Sequence, residues 1–115
     1  MISEGQIVLF KFPQTDKKEG KLCPALLLRE LPGKFNDWLI CMISSNIDQQ
    51  IPVLDELVTP DASDFIQSGL KAPSIIRASR LAFVDGNVLV GTLGQINTER
   101  LYKIKQKLSK WILGA

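Results

Sequence analysis

The chain has 115 residues, 45% of them hydrophobic, and a formal net charge of +2. That length fits one domain, which buries roughly two thirds of its unfolded surface, and the apolar content argues against disorder. The small charge gives no general attraction for nucleic acid, so any such site must come from locally clustered Lys and Arg.

No apolar run approaches the ~20 residues of a membrane span. The N-terminus, MISEGQ, has no basic segment followed by an apolar one, so no secretion signal is read and a cytoplasmic protein is expected. There is no His. That removes His-based acid–base catalysis, Ser–His and Cys–His nucleophiles and most zinc sites. No phosphate-binding Gly loop, EF-hand pattern or internal repeat is present. Any catalysis falls to Lys, Arg, Ser, Thr, Asp, Glu, Cys or Tyr102.

Gln6–Phe12 reads as the first strand. It is apolar at nearly every position, as in a strand covered on both faces. Lys11 shares the face of Ile7 and Leu9, and Pro13 ends the strand. Gln14–Gly20 reads as a polar loop with Gly20 as hinge or turn residue. Its Lys17, Lys18 and Glu19 have the composition of a solvated tip.

Two apolar runs, Leu22–Leu28 and Trp38–Ile43, flank a turn-rich connection, Leu31–Asp37. They read as adjacent strands. Antiparallel pairing sets the polar ends side by side: Lys21 and Cys23 against Ser44 and Ser45. A small polar site on an apolar base is the result. Period-2 alternation puts Lys21, Cys23, Ala25, Leu27 and Arg29 on one face and Leu22, Leu26 and Leu28 on the other. Cys23 and Cys41 read as a reduced pair, although neighbouring strands leave a disulfide geometrically open. Cys23 has no His or evident base beside it in sequence, and its better reading is a half-buried filler.

Ile51–Val58 is mixed strand or extended connection. Thr59–Gly69 predicts a short helical turn capped by Gly69. Asp61 and Asp64 read as acids of a solvated first turn, since nothing nearby completes a metal site. Ser74–Val84 predicts a strand on which Arg77 and Arg80, three apart, face opposite sides. Asp85-Gly86 predicts a hairpin turn into a strand at Val88–Leu93. Asn97 is an expected N-cap of a helix over 98–112. Leu101, Ile104, Leu108 and Trp111 give that helix one apolar stripe. Arg100, Lys103, Lys107 and Lys110 lie mostly opposite, on a face that is either solvated or open to nucleic acid. Short strands, tight turns and one terminal helix argue for a small antiparallel barrel or curled sheet packed by a helix.

Five segments occur in order along nearly the whole chain: GQIVLFKFP, PALLL, CMISS, DFIQSGLKAPSIIR and LGQIN. In that order and spacing they resemble the PemK/MazF family of type II toxin–antitoxin endoribonucleases. The resemblance implies a single mainly β domain over 1–115, an SH3-like small antiparallel barrel (PemK/MazF/CcdB-like) with a C-terminal helix. It also implies cofactor-free, metal-independent cleavage of single-stranded RNA, in which the 2′-hydroxyl attacks the adjacent phosphate. A homodimer and a cognate antitoxin are implied as partners, and no membrane.

The family usually has Arg directly before the Pro of the second strand, and Thr or Ser after the next one. Ser44 matches the second position. Cys23 occupies the first, and a thiol cannot replace a bidentate guanidinium. Lys21, on the same predicted face, is either a substitute cation or an ordinary strand-end lysine. Arg77 matches a recurrent basic position, as a phosphate contact or in a surface salt bridge. The expected catalytic set is therefore Lys21, Ser44 and Arg77, with Lys18, Ser45 and Arg80 as RNA phosphate contacts. Lys18 enters because the family places a variable loop over the groove. Because of Cys23, a catalytically silent module binding RNA, DNA or a protein stays open; a more distant third reading is a topoisomerase poison, because a related toxin fold acts that way.

Overall fold

The computed structural model describes residues 2–12 and 21–114. Six strands run Gln6–Phe12 (β1), Lys21–Glu30 (β2), Asp37–Ser44 (β3), Glu56–Val58 (β4), Ser74–Asp85 (β5) and Leu89–Gln95 (β6). Among the described residues there are also two α-helices, Phe65–Ser68 (α1) and Thr98–Leu113 (α2), and 3-10 turns at Ile47–Gln49 and Gly86–Val88. The strands form one antiparallel sheet in the order β4-β5-β3-β2-β1-β6. This is the mainly β fold with a C-terminal helix that the sequence predicts. The sheet is not closed into a barrel, and α1 packs against β6.

The near-continuous apolar strands bury both faces. One cluster holds Ile7, Leu26, Leu28, Cys41, Ile43 and Ile76 beneath Ile104 and Leu108 of α2. A second holds Val8, Phe10, Ala25, Leu27, Trp38 and Ile40, with Ala82, Val84 and Leu89 packed against it. Its strand members all belong to the sheet, so the sheet curls over this face. Register shifts in the β1–β6, β2–β3 and β3–β5 pairs supply the bending.

The predicted helix caps are present. Asn97 Oδ1 accepts from the Arg100 backbone N–H at 2.8 Å, a contact worth about 1 kcal/mol. Gly69 ends α1 in the left-handed conformation, with φ of 77°. A Cβ there would overlap the Leu93 carbonyl, and one on Gly94 would overlap the Gln67 carbonyl. The two glycines thus let α1 and β6 meet backbone to backbone.

Several expectations fail. Asp85-Gly86 does turn the chain, but β5 and β6 are not paired, so it makes no hairpin. Gly86 lacks the positive φ of a type I′ turn; its N–H donates to the Asn36 carbonyl at 2.6 Å, and a 3-10 turn at Gly86–Val88 leads to β6. Trp111 falls off the buried stripe and is 57% exposed. Asp64 is not solvated: it is fully buried and accepts from Arg100 Nε at 2.8 Å.

That last pairing belongs to a network that also overturns the open basic face of α2. Arg100 Nη2 reaches Asp64 Oδ1 at 3.1 Å, and the Asn97 N–H reaches Asp64 Oδ2 at 3.2 Å. Lys103 and Lys107 both pair with the buried Glu56, at 3.4 and 2.8 Å. Burial raises the Asp64 carboxyl pKa, but the Arg100 and Asn97 hydrogen bonds outweigh it and hold the group below the ordinary aspartate value. Three of the four basic residues on this face therefore fasten α2 to β4 and the segment before α1.

Candidate active site groove

The β2–β3 register pairs Ala25 with Met42 and Leu26 with Cys41. Carried two residues outward, it brings Cys23 level with Ser44. Two adjoining hollows open there. The larger, about 500 Å³, is lined by Leu22, Cys23, Ser44, Ser45, Leu70 and Lys71, among others. The smaller, about 310 Å³, is lined by Cys23, Met42, Ile43, Ser44, Gln49, Arg77 and Arg80. Cys23, Ile43 and Ser44 line both, so they form a shared wall. Of the expected residues, the structure thus groups Ser44, Ser45, Arg77 and Arg80 around Cys23.

Ser44 leaves β3 half-buried. Its Oγ accepts the Asn46 backbone N–H at 3.0 Å. This fixes the oxygen and leaves the hydroxyl proton available for donation. Ser45 is exposed on the rim.

Arg77 and Arg80 do not face opposite sides. Met42 pairs with Arg77, while its neighbour Cys41 pairs with Leu81. Residues 78–80 are therefore extra in β5, and this bulge carries Arg80 round to the hollow that Arg77 lines. Bulges commonly re-aim a side chain in this way.

Arg77 is tightly held. Its Nη1 donates to Gln49 Oε1 at 3.2 Å and its Nη2 to the Gln49 carbonyl at 3.4 Å. Its Nε lies 3.6 Å from Asp55, is buried, and makes no hydrogen bond. Asp55 is itself fully buried and accepts from the Ile51 and Ser79 N–H groups and the Ser79 hydroxyl. The salt-bridge reading of Arg77 thus describes part of its environment, although the pair sits at a groove and not on an open surface.

Lys18 lies outside the described residues. Lys21 starts β2 opposite Phe12, and its side chain also lies outside them. Cys23 and Cys41 are both free. Cys41 joins the cluster under α2, whereas Cys23 lies two residues before Ala25, on the strand face of the other cluster. The sheet therefore separates them. Burial pushes the Cys41 thiol pKa far up, so it is unreactive.

Three residues in or behind the groove escaped the sequence analysis. Gln49 and Asp55 anchor Arg77 across 28 and 22 residues, separations that no local pattern displays. Lys71 was within reach, as a lone cation in the GLKAPS segment. No group of three or more His, Cys, Asp or Glu able to hold a metal occurs among the described residues. Among them, too, no helix is long and apolar enough to cross a membrane.

A family model described as PemK-like, MazF-like toxin of type II toxin-antitoxin system matches residues 3–112. No curated protein matches the chain.

Proposed function

The chain belongs to the PemK-like, MazF-like toxin family of type II toxin–antitoxin systems, and on that premise we propose that it is an endoribonuclease whose groove at Ser44 cuts single-stranded RNA. The family implies an RNA substrate and an antitoxin partner. The observation that carries the reading is the convergence of Ser44, Arg77 and Arg80 on one hollow.

The reaction forms a bond from the 2′-oxygen to phosphorus and breaks the bond from phosphorus to the 5′-oxygen. A proton leaves the 2′-hydroxyl and another reaches the 5′-oxygen. Negative charge accumulates on the phosphorane between these events, and preorganised donors stabilise it. Ser44 supplies a hydroxyl donor with its oxygen already fixed. Arg77 is a catalytic candidate whose remaining η N–H groups donate to a phosphoryl oxygen. Ser45 and Arg80 contact phosphate at the rim, and Lys18 and Lys21 add cations from outside the described side chains. Among the described residues no carboxylate lines either hollow, and the reading rests on charge stabilisation by Ser44 and the neighbouring cations.

Ser44→Ala is expected to cut the cleavage rate by about a hundredfold, the usual effect of removing one such donor. Because Ser44 is half-exposed and its bond to Asn46 is local, the thermal midpoint should stay put. Unchanged cleavage by the folded variant would place the chemistry elsewhere.

One observation favours a second reading. Cys23 stands on the shared wall where the family usually has Arg, so the groove lacks a central guanidinium. A silent groove would still bind RNA, DNA or a partner protein. In that case neither the natural protein nor an Arg-restored variant cuts RNA.

We also read the molecule as a homodimer. Trp111, Ile112 and Leu113 end α2 with 57%, 64% and 81% of their surface exposed, an apolar run that a second copy would cover. Light scattering at micromolar concentration should give the mass of two chains, and the mass of one would refute the dimer.

A further inference from the structure

Among the described residues, six Lys and Arg side chains are already paired with acids. Arg29 and Lys105 hold Glu4, Arg77 lies beside Asp55, and Arg100, Lys103 and Lys107 hold Asp64 and Glu56. Lys71 and Arg80 differ: both are exposed and make no ion pair or hydrogen bond within the described residues. Both also line the groove. Lys71 lines only the larger hollow, Arg80 only the smaller, and the wall bearing Ser44 is common to the two. Two uncommitted positive charges thus stand on either side of the hydroxyl at the reacting position. A net charge of +2 gives little attraction for RNA as a whole, so these local charges matter more.

We propose that Lys71 and Arg80 bind the two phosphates flanking the reacting one, which makes the preferred substrate a single strand with at least three consecutive phosphates. The inference rests on the ribonuclease reading of the groove. Lys71 is a point charge on an exposed loop and takes a phosphate without fixed geometry; Arg80 can do so bidentately. Each contact releases counterions from the strand. The logarithm of the binding constant therefore falls with the logarithm of salt concentration by about 0.7 per contact on single strands.

The test uses an uncleavable probe, a 2′-O-methyl RNA dodecamer, whose affinity is measured across a salt series. Lys71→Ala and Arg80→Ala should each weaken binding and flatten the salt slope by about 0.7, and the double variant by about 1.4. Lys71→Arg should restore both quantities. Lys110→Ala removes an exposed lysine that lines neither hollow and should change binding much less. A dinucleotide probe, with one phosphate, should bind the natural protein and Lys71→Ala alike. If the natural protein binds the dodecamer and Lys71→Ala keeps its affinity and slope, the flanking-phosphate role is wrong and the ribonuclease reading stands. If the natural protein fails to bind the dodecamer even at low salt, the ribonuclease reading falls and takes this inference with it.

Discussion

Arg100→Met is expected to destabilise the fold by about 3–5 kcal/mol, the range for breaking a buried ion pair from one side. Asp64 is fully buried, and two of its three hydrogen bonds from other residues come from the Arg100 guanidinium. Without it the carboxylate keeps the Asn97 N–H and little else. Glu56 loses one of its three cations. In a domain of this size each kcal/mol moves the thermal midpoint by about 4 °C, so the variant's midpoint should fall by about 12–20 °C. The double variant Asp64→Leu, Arg100→Met removes both charges and should recover much of the loss, because an apolar pair has no charge to desolvate. A midpoint within a few degrees of the natural protein for Arg100→Met alone would show that the pair contributes little.

The same pair sets an acid limit. Asp64 has a lowered pKa in the folded state, so its contribution is fully present above its unfolded value, about 3.9. It is lost as the pH falls from there through the lowered folded value. Stability should therefore drop below about pH 4, and this component of the drop should be absent in the double variant.

Cys23→Arg is the second large effect. It should raise RNA cleavage by about a hundredfold, the scale of one well-placed charge donor. Cys23 is half-exposed on the wall shared by hollows of about 500 and 310 Å³, so a guanidinium has room without entering the core. It would stand beside Ser44 and add a planar pair of donors that a lysine cannot match. Until then Lys21 is the proposed substitute, and Lys21→Ala should slow whatever cleavage the natural protein shows. Circular dichroism checks that each variant is folded. Fast natural cleavage that Lys21→Ala leaves unchanged would contradict the placement of these charges.

The strands were legible because their signal is local. Gln6–Phe12 is apolar throughout and bounded by Pro13, and β1 has those limits. Asn97 and Gly69 carry their own conformational preferences and cap the two helices. The polar ends of β2 and β3 could be matched because two short neighbouring strands leave little choice of register. What stayed hidden depends on contacts distant in sequence. The bulge that brings Arg80 beside Arg77 answers to the register against β3, not to any residue within SIIRASR. The burial of Asp64 depends on Arg100, 36 residues later. Asp85-Gly86 carried a true turn signal, but the pairing of β6 with β1 rather than β5 decided the topology. A helix face rich in Arg and Lys looks the same in sequence whether it meets solvent, RNA or, as here, two buried acids.

We propose that this groove cuts RNA by attack of the 2′-hydroxyl on the adjacent phosphate, which breaks the bond from phosphorus to the 5′-oxygen. The direct measurement incubates the purified protein with a long single-stranded RNA in the presence of a metal chelator and determines the chemistry of both new ends. The expected cuts persist in chelator, leave a 2′,3′-cyclic phosphate on one fragment and a 5′-hydroxyl on the other, and fade in Ser44→Ala. Intact RNA with both the natural protein and folded Cys23→Arg would contradict it, as would cuts that leave 5′-phosphate ends.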